Sequence, residues 1–340
     1  MRNQPLAGPI VIIASLAACA SRSAAQSYDF DWATIGDPGN DPWRDDRYPF
    51  LKFNGRGRVD HLFRMSKTEL TVGQWAAFVR AYGPHAEDPF DPELTGWYIW
   101  GERRGDQIVY EVEEGFERHP AQMSWRMAAR FCNWMHNGQS GGAWAFESGA
   151  YDTSTFTRND DGPPYFNDQE TRSPGARYWI PSMDEWMKAA YYDPDRFGEG
   201  DGGWWEQPDR GNDPLFAERP ENGGETNAGL FHGDYGPLTD VGQYPHATSP
   251  WGLLDLSGAM REFTEEWDAA DRRAARHVKG SSIYDDISYQ EQDWIGSEAW
   301  AETPNIVGTV GFRVASAVPA HPTWTVLCAV GIGASRRRRR

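Results

Sequence analysis

The run Ser249–Trp267, SPWGLLDLSGAMREFTEEW, constrains the fold more than any other stretch of this 340-residue chain. Gly252 and Gly258 allow backbone angles that a residue with a Cβ resists. Trp251, Leu253, Leu254, Leu256 and Phe263 are apolar enough to anchor the segment in a core. A loop fixed in this way holds ligands in place. Asp255 and Glu262 put carboxylates on either side of the Ser257-Gly258 turn, and carbonyls freed at such a turn are the other oxygen donors that a calcium ion uses. Calcium takes about six to eight oxygens, whereas spacing alone supplies two carboxylates. A turn or capping role for Asp255 and a solvated helix-face role for Glu262 therefore stand beside the metal reading.

Other segments carry regular signals. Val59–Met65 alternates like a strand and leads to Thr68-Glu69. Thr71 and Gln74 then form a capping box, with Val72, Trp75, Phe78, Val79 and Tyr82 at helical spacing and Gly83-Pro84 as the stop. Ser124 is a good N-cap for a second helix whose apolar face is Trp125, Ala128, Ala129, Cys132 and Met135. In RYWIPSMDEW, residues 177–186, Ser182 and Glu185 make another capping box, followed by an apolar face of Met183, Trp186, Met187, Ala190 and Tyr191. Two strand-like segments close the chain, His277–Ser282 (HVKGSS) and Gly308–Ser316 (GTVGFRVAS). The G-x-S-x-G pattern at 138–142 lacks the strand before it and helix after it that a nucleophile elbow needs. The loop 193–204 has EF-hand spacing at its start but Trp204 where a bidentate Glu belongs.

Taken in order, KTELTVGQW, RYWIPSMDEW, GLLDLSGAMREF, HVKGSS and GTVGFR resemble the formylglycine-generating enzyme, or sulfatase-modifying factor, family over roughly residues 58–317. The resemblance implies an α+β, irregular C-type-lectin-like fold, poor in regular structure and stabilised by calcium. Carried across, Asp255 and Glu262 match side-chain calcium ligands, with Gly258 and Met260 offering carbonyls, and Asn227 and Asp234 match a further site. The family's Asn after the glycine and Trp before the acid are here Ala259 and Arg261. Its oxidases place two cysteines after the HVKGSS-like strand to bind copper(I). This chain has Asp285 and Gln290 there, and the segment Glu291–Trp294 replaces an arginine-rich one. Carboxylate and amide oxygens are poor copper(I) ligands, so copper is not expected.

The 17 Trp, 36 Gly and 23 Pro fit a loop-rich fold pinned by aromatic plugs, with an aromatic sugar-binding platform as the functional rival. The net charge is −17; without the two ends the balance is 26 basic against 50 acidic residues, which argues against nucleic acid as partner. Residues 1–25 read as a signal peptide with cleavage after Ala25, although Leu16–Cys19 also fits a lipoprotein box. Residues 318–340 place an apolar run, Thr323–Ala334, before five arginines, resembling a PEP-CTERM-type sorting tail without its Glu. Of Cys19, Cys132 and Cys328, only Cys132 would remain after processing at both ends, which excludes a disulfide framework. The expected organisation is a polar lead-in at 26–57 and one domain at 58–317 with insertions near 84–118 and 137–176. The expected function is an exported, calcium-stabilised envelope module that binds a peptide, glycan or envelope protein, touching membrane only through its tail. The rival is a metal-dependent oxidase of protein cysteines.

Overall fold

The computed structural model describes residues 29–159, 165–231, 239–268, 274–285, 292–302 and 310–319. Asp234 and Gln290 lie outside the described residues, as do the expected signal peptide and the apolar run and arginines of the expected tail. In chain order the elements begin with β1 (Trp32–Ile35), β2 (Phe63–Ser66), α1 (Val72–Tyr82), α2 (Pro92–Thr95), β3 (Ile99–Arg104) and β4 (Gln107–Val112). There follow α3 (Trp125–His136), α4 (Trp144–Glu147), β5 (Arg158–Asn159), β6 (Tyr165–Phe166), β7 (Tyr178–Trp179), α5 (Met183–Tyr191), β8 (Tyr192–Asp193) and β9 (Gly203–Trp204). The last are β10 (Arg261–Trp267), β11 (Ala275–Lys279), β12 (Ala299–Glu302), β13 (Val310–Gly311) and β14 (Ala315–Ala317). This is the mixed, loop-rich α+β architecture that the motifs imply. Among the described residues no helix is long and apolar enough to cross a membrane.

Two four-stranded sheets organise the molecule. One has the antiparallel order β1-β2-β14-β7, so a strand near the start of the fold pairs with the last one. The other has the order β12-β11-β10-β13, with β10 antiparallel to β11 and parallel to β13. The core between helices and sheets is aromatic: Trp75 packs on Phe78 at 4.6 Å between ring centroids, Phe78 on Phe131 at 5.7 Å, and Phe131 on Phe312 at 5.9 Å. Both capping boxes form. Thr71 Oγ1 accepts from the Gln74 amide, and the Gln74 side chain accepts in return from the Thr71 amide. Ser182 and Glu185 do the same at α5.

Three expectations are corrected. The strand expected over 59–65 begins only at Phe63, because the Val59 carbonyl is taken by the Gly39 amide at 2.8 Å and by Lys188 Nζ. The irregular insertion expected near 84–118 contains the β3–β4 hairpin, in register from Ile99↔Val112 to Arg104↔Gln107. Its two-residue turn starts at Gly105, whose φ of +64° suits the first position of a hairpin turn. The segment near 137–176 likewise carries α4 and the β5–β6 pair rather than loop alone.

α1 depends on its cap because every apolar residue of its inner face is buried and cannot rearrange to offset a lost hydrogen bond. Thr71→Ala is expected to lower the unfolding free energy in urea by about 1 kcal/mol, the usual cost of an N-cap, without changing the slope of the transition.

Candidate functional site

The 249–267 run forms a turn followed by strand β10. Asp255 and Ala259 hold φ of 54° and 49°, left-handed values that cost energy without glycine, and Gly258 sits between them at +80°. A Cβ on Gly258 would lie 2.3 Å from Asn227 Oδ1, so the position admits only glycine. That oxygen accepts from the Ala259 amide at 2.6 Å, while Asn227 Nδ2 donates to Thr239 Oγ1 at 3.0 Å. Asn227, which the resemblance assigns with Asp234 to a site separate from the Gly258 turn, thus lies against that turn.

Glu262 lies near the start of β10, paired with Lys279 on one side and Gly311 on the other, rather than on a helix face. Its carboxylate is buried and accepts from Arg313 at both oxygens, 2.6 Å from Nε to Oε2, and from Trp186 Nε1 at 2.7 Å. Arg313, also fully buried, donates to the carbonyls of Ser66, Lys67, Leu254 and Asp255. The guanidinium therefore gathers a carboxylate and four backbone oxygens of the kind that a calcium ion would take. Asp255 faces elsewhere: Oδ2 accepts from the Gly242 amide at 2.7 Å, and the residue borders a water-sized cavity with Asp209, Glu225 and Ser257. Burial pushes Asp255 up to about 6. Met260 donates its amide to Glu69 Oε1 at 3.2 Å. Burial, reinforced by Asp255 and Glu262, pushes Glu69 well above the ordinary carboxylate range, with the charge of Arg313 opposing the shift. Among the described residues no group of three or more His, Cys, Asp or Glu is arranged to hold a metal ion. As arranged, the donors expected at this turn do not fit calcium, which would have to take Glu262 from Arg313.

Asp285, which the resemblance sets at the first of the family's two cysteine positions, accepts from the Ser282 amide at 2.6 Å and from Arg261 Nη2 at 2.6 Å. No histidine is among its hydrogen-bond partners given by the structure. Around it is an aromatic face: Trp97 packs on Tyr284 at 5.9 Å and Phe231 on Tyr284 at 4.1 Å, with Met260 and Ile283 beneath. Cys132, in α3, has no exposed surface, and burial pushes its thiol well above the ordinary value.

A second cluster was not foreseen. Buried Glu185 and Glu265 share Arg172, whose Nη1 lies 3.1 Å from each, and Glu185 also takes His61 Nε2 at 2.9 Å. A cleft of about 440 Å³ opens on these four residues, between Asp60 and Asp184. Burial pushes Glu265 up to about 7, whereas Glu185 is held below the ordinary range by His61, Arg172 and the Ser182 amide against its own burial. The two acids are eighty residues apart in sequence, and Glu185 was read only as a helix cap; the TEEW run gave no sign that Glu265 points inward.

With the geometry in hand, comparison with known proteins is direct. Residues 54–318 match the sulfatase-modifying factor enzyme 1-like domain, also described as FGE-sulfatase, and the chain belongs to that family. Among solved structures it is similar to Treponema denticola variable protein 1, at 15% identity and a TM-score of 0.51, over 84% of this chain and 95% of that one. It is also similar to PvdO from Pseudomonas aeruginosa, at 13% identity and a TM-score of 0.47, over 86% and 97%. CarF gives 18% identity and a TM-score of 0.47, over 86% and 100%. At these identities the likeness is one of fold alone. A search of curated protein sequences gives no match.

The Glu265 geometry has a pH signature. Its folded value of about 7 exceeds that of a free glutamate near 4.3. The stabilisation from its proton is therefore fully present below pH ~4.3 and lost as pH rises to about 7. Glu265→Gln keeps the hydrogen bond without the titration. Unfolding free energy measured from pH 4.5 to 7.5 should fall less steeply in the variant than in the parent, by up to about 3 kcal/mol across the window.

Proposed function

We propose that this chain is a binding module built on the sulfatase-modifying factor fold, exported to the cell envelope, and not an oxidase of protein cysteines. The observation that carries the reading is Asp285. Where the resemblance places the first copper thiolate, this chain has a carboxylate already engaged by Arg261 and by the Ser282 amide. Copper(I) needs soft sulfur ligands, and Cys132 is sealed in a helix core with its thiol held protonated. In place of the thiolates stands the Trp97–Tyr284–Phe231 face, of which Tyr284 is 44% and Phe231 39% exposed. Exposed aromatics beside a paired charge are typical of recognition surfaces.

The partner class is a peptide, glycan or envelope protein. The charge of −17 favours neutral or cationic ligands and disfavours nucleic acid. Calcium remains an expectation of the family resemblance. Arg313 supplies the turn with an internal cation, so the stability of the signature turn does not require the ion.

The reading is tested by incubating the purified protein with a cysteine-containing sulfatase-type peptide, oxygen and copper, with an iron arm in parallel, and weighing the peptide by mass spectrometry. The expected result is unmodified cysteine, together with a melting temperature unchanged by EDTA. Conversion of the cysteine to an aldehyde would overturn the binding reading, and a fall in melting temperature on chelation would return calcium to the turn.

A further inference from the structure

A cleft of about 510 Å³ lies on a part of the surface that shares no residue with the Trp97–Tyr284 face, lined by Arg47, Tyr48, Phe50, Leu51, Glu206 and Trp294. Its size falls within the usual range for small-ligand sites. We propose that it is a binding subsite for a neutral oligosaccharide. The proposal rests on the reading of the chain as a binding module and gives one of its sites a ligand class.

The apolar wall is a ladder of rings set edge to face. Trp43 meets Trp294 at 88°, Trp294 meets Tyr48 at 80°, and Tyr48 meets Phe50 at 86°, with centroids 5.8–6.4 Å apart. Phe50 keeps 80% and Tyr48 43% of its surface in solvent. Rings exposed to this degree in fixed orientations suit the C–H face of a pyranose, which packs on aromatic carbon much as another ring does.

The polar edge is equally fixed. Arg47 Nη2 reaches Glu206 Oε1 at 2.7 Å and Asp45 Oδ2 at 2.7 Å, while Nε adds bonds to both Asp45 oxygens. A guanidinium and a carboxylate held side by side offer a planar donor set and an acceptor, the pairing that sugar hydroxyls use. Arg47 is matched by two acids, and the chain carries −17 overall, so an anionic sugar gains nothing here.

Both walls are set before any ligand arrives. Asn54 Nδ2 ties down the carbonyls of Asp45 and Tyr48 at 2.7 and 3.1 Å. Opposite, buried Lys279 donates to the carbonyls of Trp294, Ile295 and Ser297, and the Ile295 amide joins the Glu206 carbonyl at 3.0 Å. A cleft that does not have to be ordered on binding loses less affinity to entropy.

The test titrates the full chain with maltotriose, cellotriose, mannotriose and triacetylchitotriose to about 10 mM, well past a millimolar site, following tryptophan fluorescence and saturation-transfer NMR. A sulfated trisaccharide is the charged control. The expected result is binding of at least one neutral trisaccharide. Phe50→Ala and Tyr48→Ala should each weaken it about tenfold, the scale of one lost aromatic contact. Glu206→Gln should weaken it with the melting temperature unchanged, and Trp100→Ala, an exposed tryptophan outside the cleft, should leave it intact. No binding by any of the four, binding indifferent to Phe50 and Tyr48, or tighter binding of the sulfated sugar would overturn the proposal. Aldehyde formation in the cysteine-peptide assay would sink the wider reading without altering this titration, so the two failures are distinguishable.

Discussion

A guanidinium with no exposed surface, Arg313, stands where three parts of the chain meet. It reaches the carbonyls of Ser66 and Lys67 at the end of β2, those of Leu254 and Asp255 in the glycine turn, and the carboxylate of Glu262 in β10. The Glu262 carboxylate is shielded from water and the carbonyls are buried or half-buried, and a buried carbonyl or carboxylate without a donor costs free energy comparable to a lost hydrogen bond or more. A planar cation with five donors satisfies them together. The neighbouring strain follows from this: Asp255 and Ala259 hold left-handed angles because their surroundings leave the chain no alternative. The buried pair is a weak source of net stability compared with apolar packing, yet removing one member alone leaves an uncompensated charge. It therefore acts mainly by fixing which way the turn and β10 face.

The parts of this arrangement that were legible in sequence are those with short-range signals. Capping boxes at Thr71 and Ser182 and the apolar faces of α1, α3 and α5 are encoded within a few residues, and they form as read. The β3–β4 hairpin carried weaker signals, the β-prone Ile99, Trp100, Ile108, Val109, Tyr110 and Val112 on either side of Gly105-Asp106, but neither strand alternates apolar and polar residues clearly enough to stand out. The partners of Glu262 were illegible for a different reason. Arg313 is fifty-one residues away, and no local pattern distinguishes an arginine that pairs with an acid from one that faces water. The same holds for Glu185 and Glu265 around Arg172, and for Trp294 against Tyr48.

The proposed departure of function from family membership rests on one place. The chain carries the fold of the sulfatase-modifying factor family, whereas Asp285, which the sequence resemblance sets at a copper-thiolate position, is a carboxylate paired with Arg261. A fold constrains where a site can be, and the side chains at that site decide the chemistry. Here they are aromatic rings and matched charges, in the face at Trp97 and Tyr284 and again in the cleft at Tyr48 and Trp294. Such surfaces discriminate by shape and hydrogen bonding, which supports the proposed reading of the chain as a recognition module.

The central claim is that the Arg313–Glu262 pair is the internal cation–anion contact that holds the signature turn. The most direct measurement is a double-mutant cycle on unfolding free energy with Glu262→Met, Arg313→Met and both together. Each single change should cost about 3–5 kcal/mol, because it buries the other charge unpaired, and the double change should cost less than the sum by more than 1 kcal/mol. Costs that simply add would contradict the account and show that the two side chains do not depend on one another.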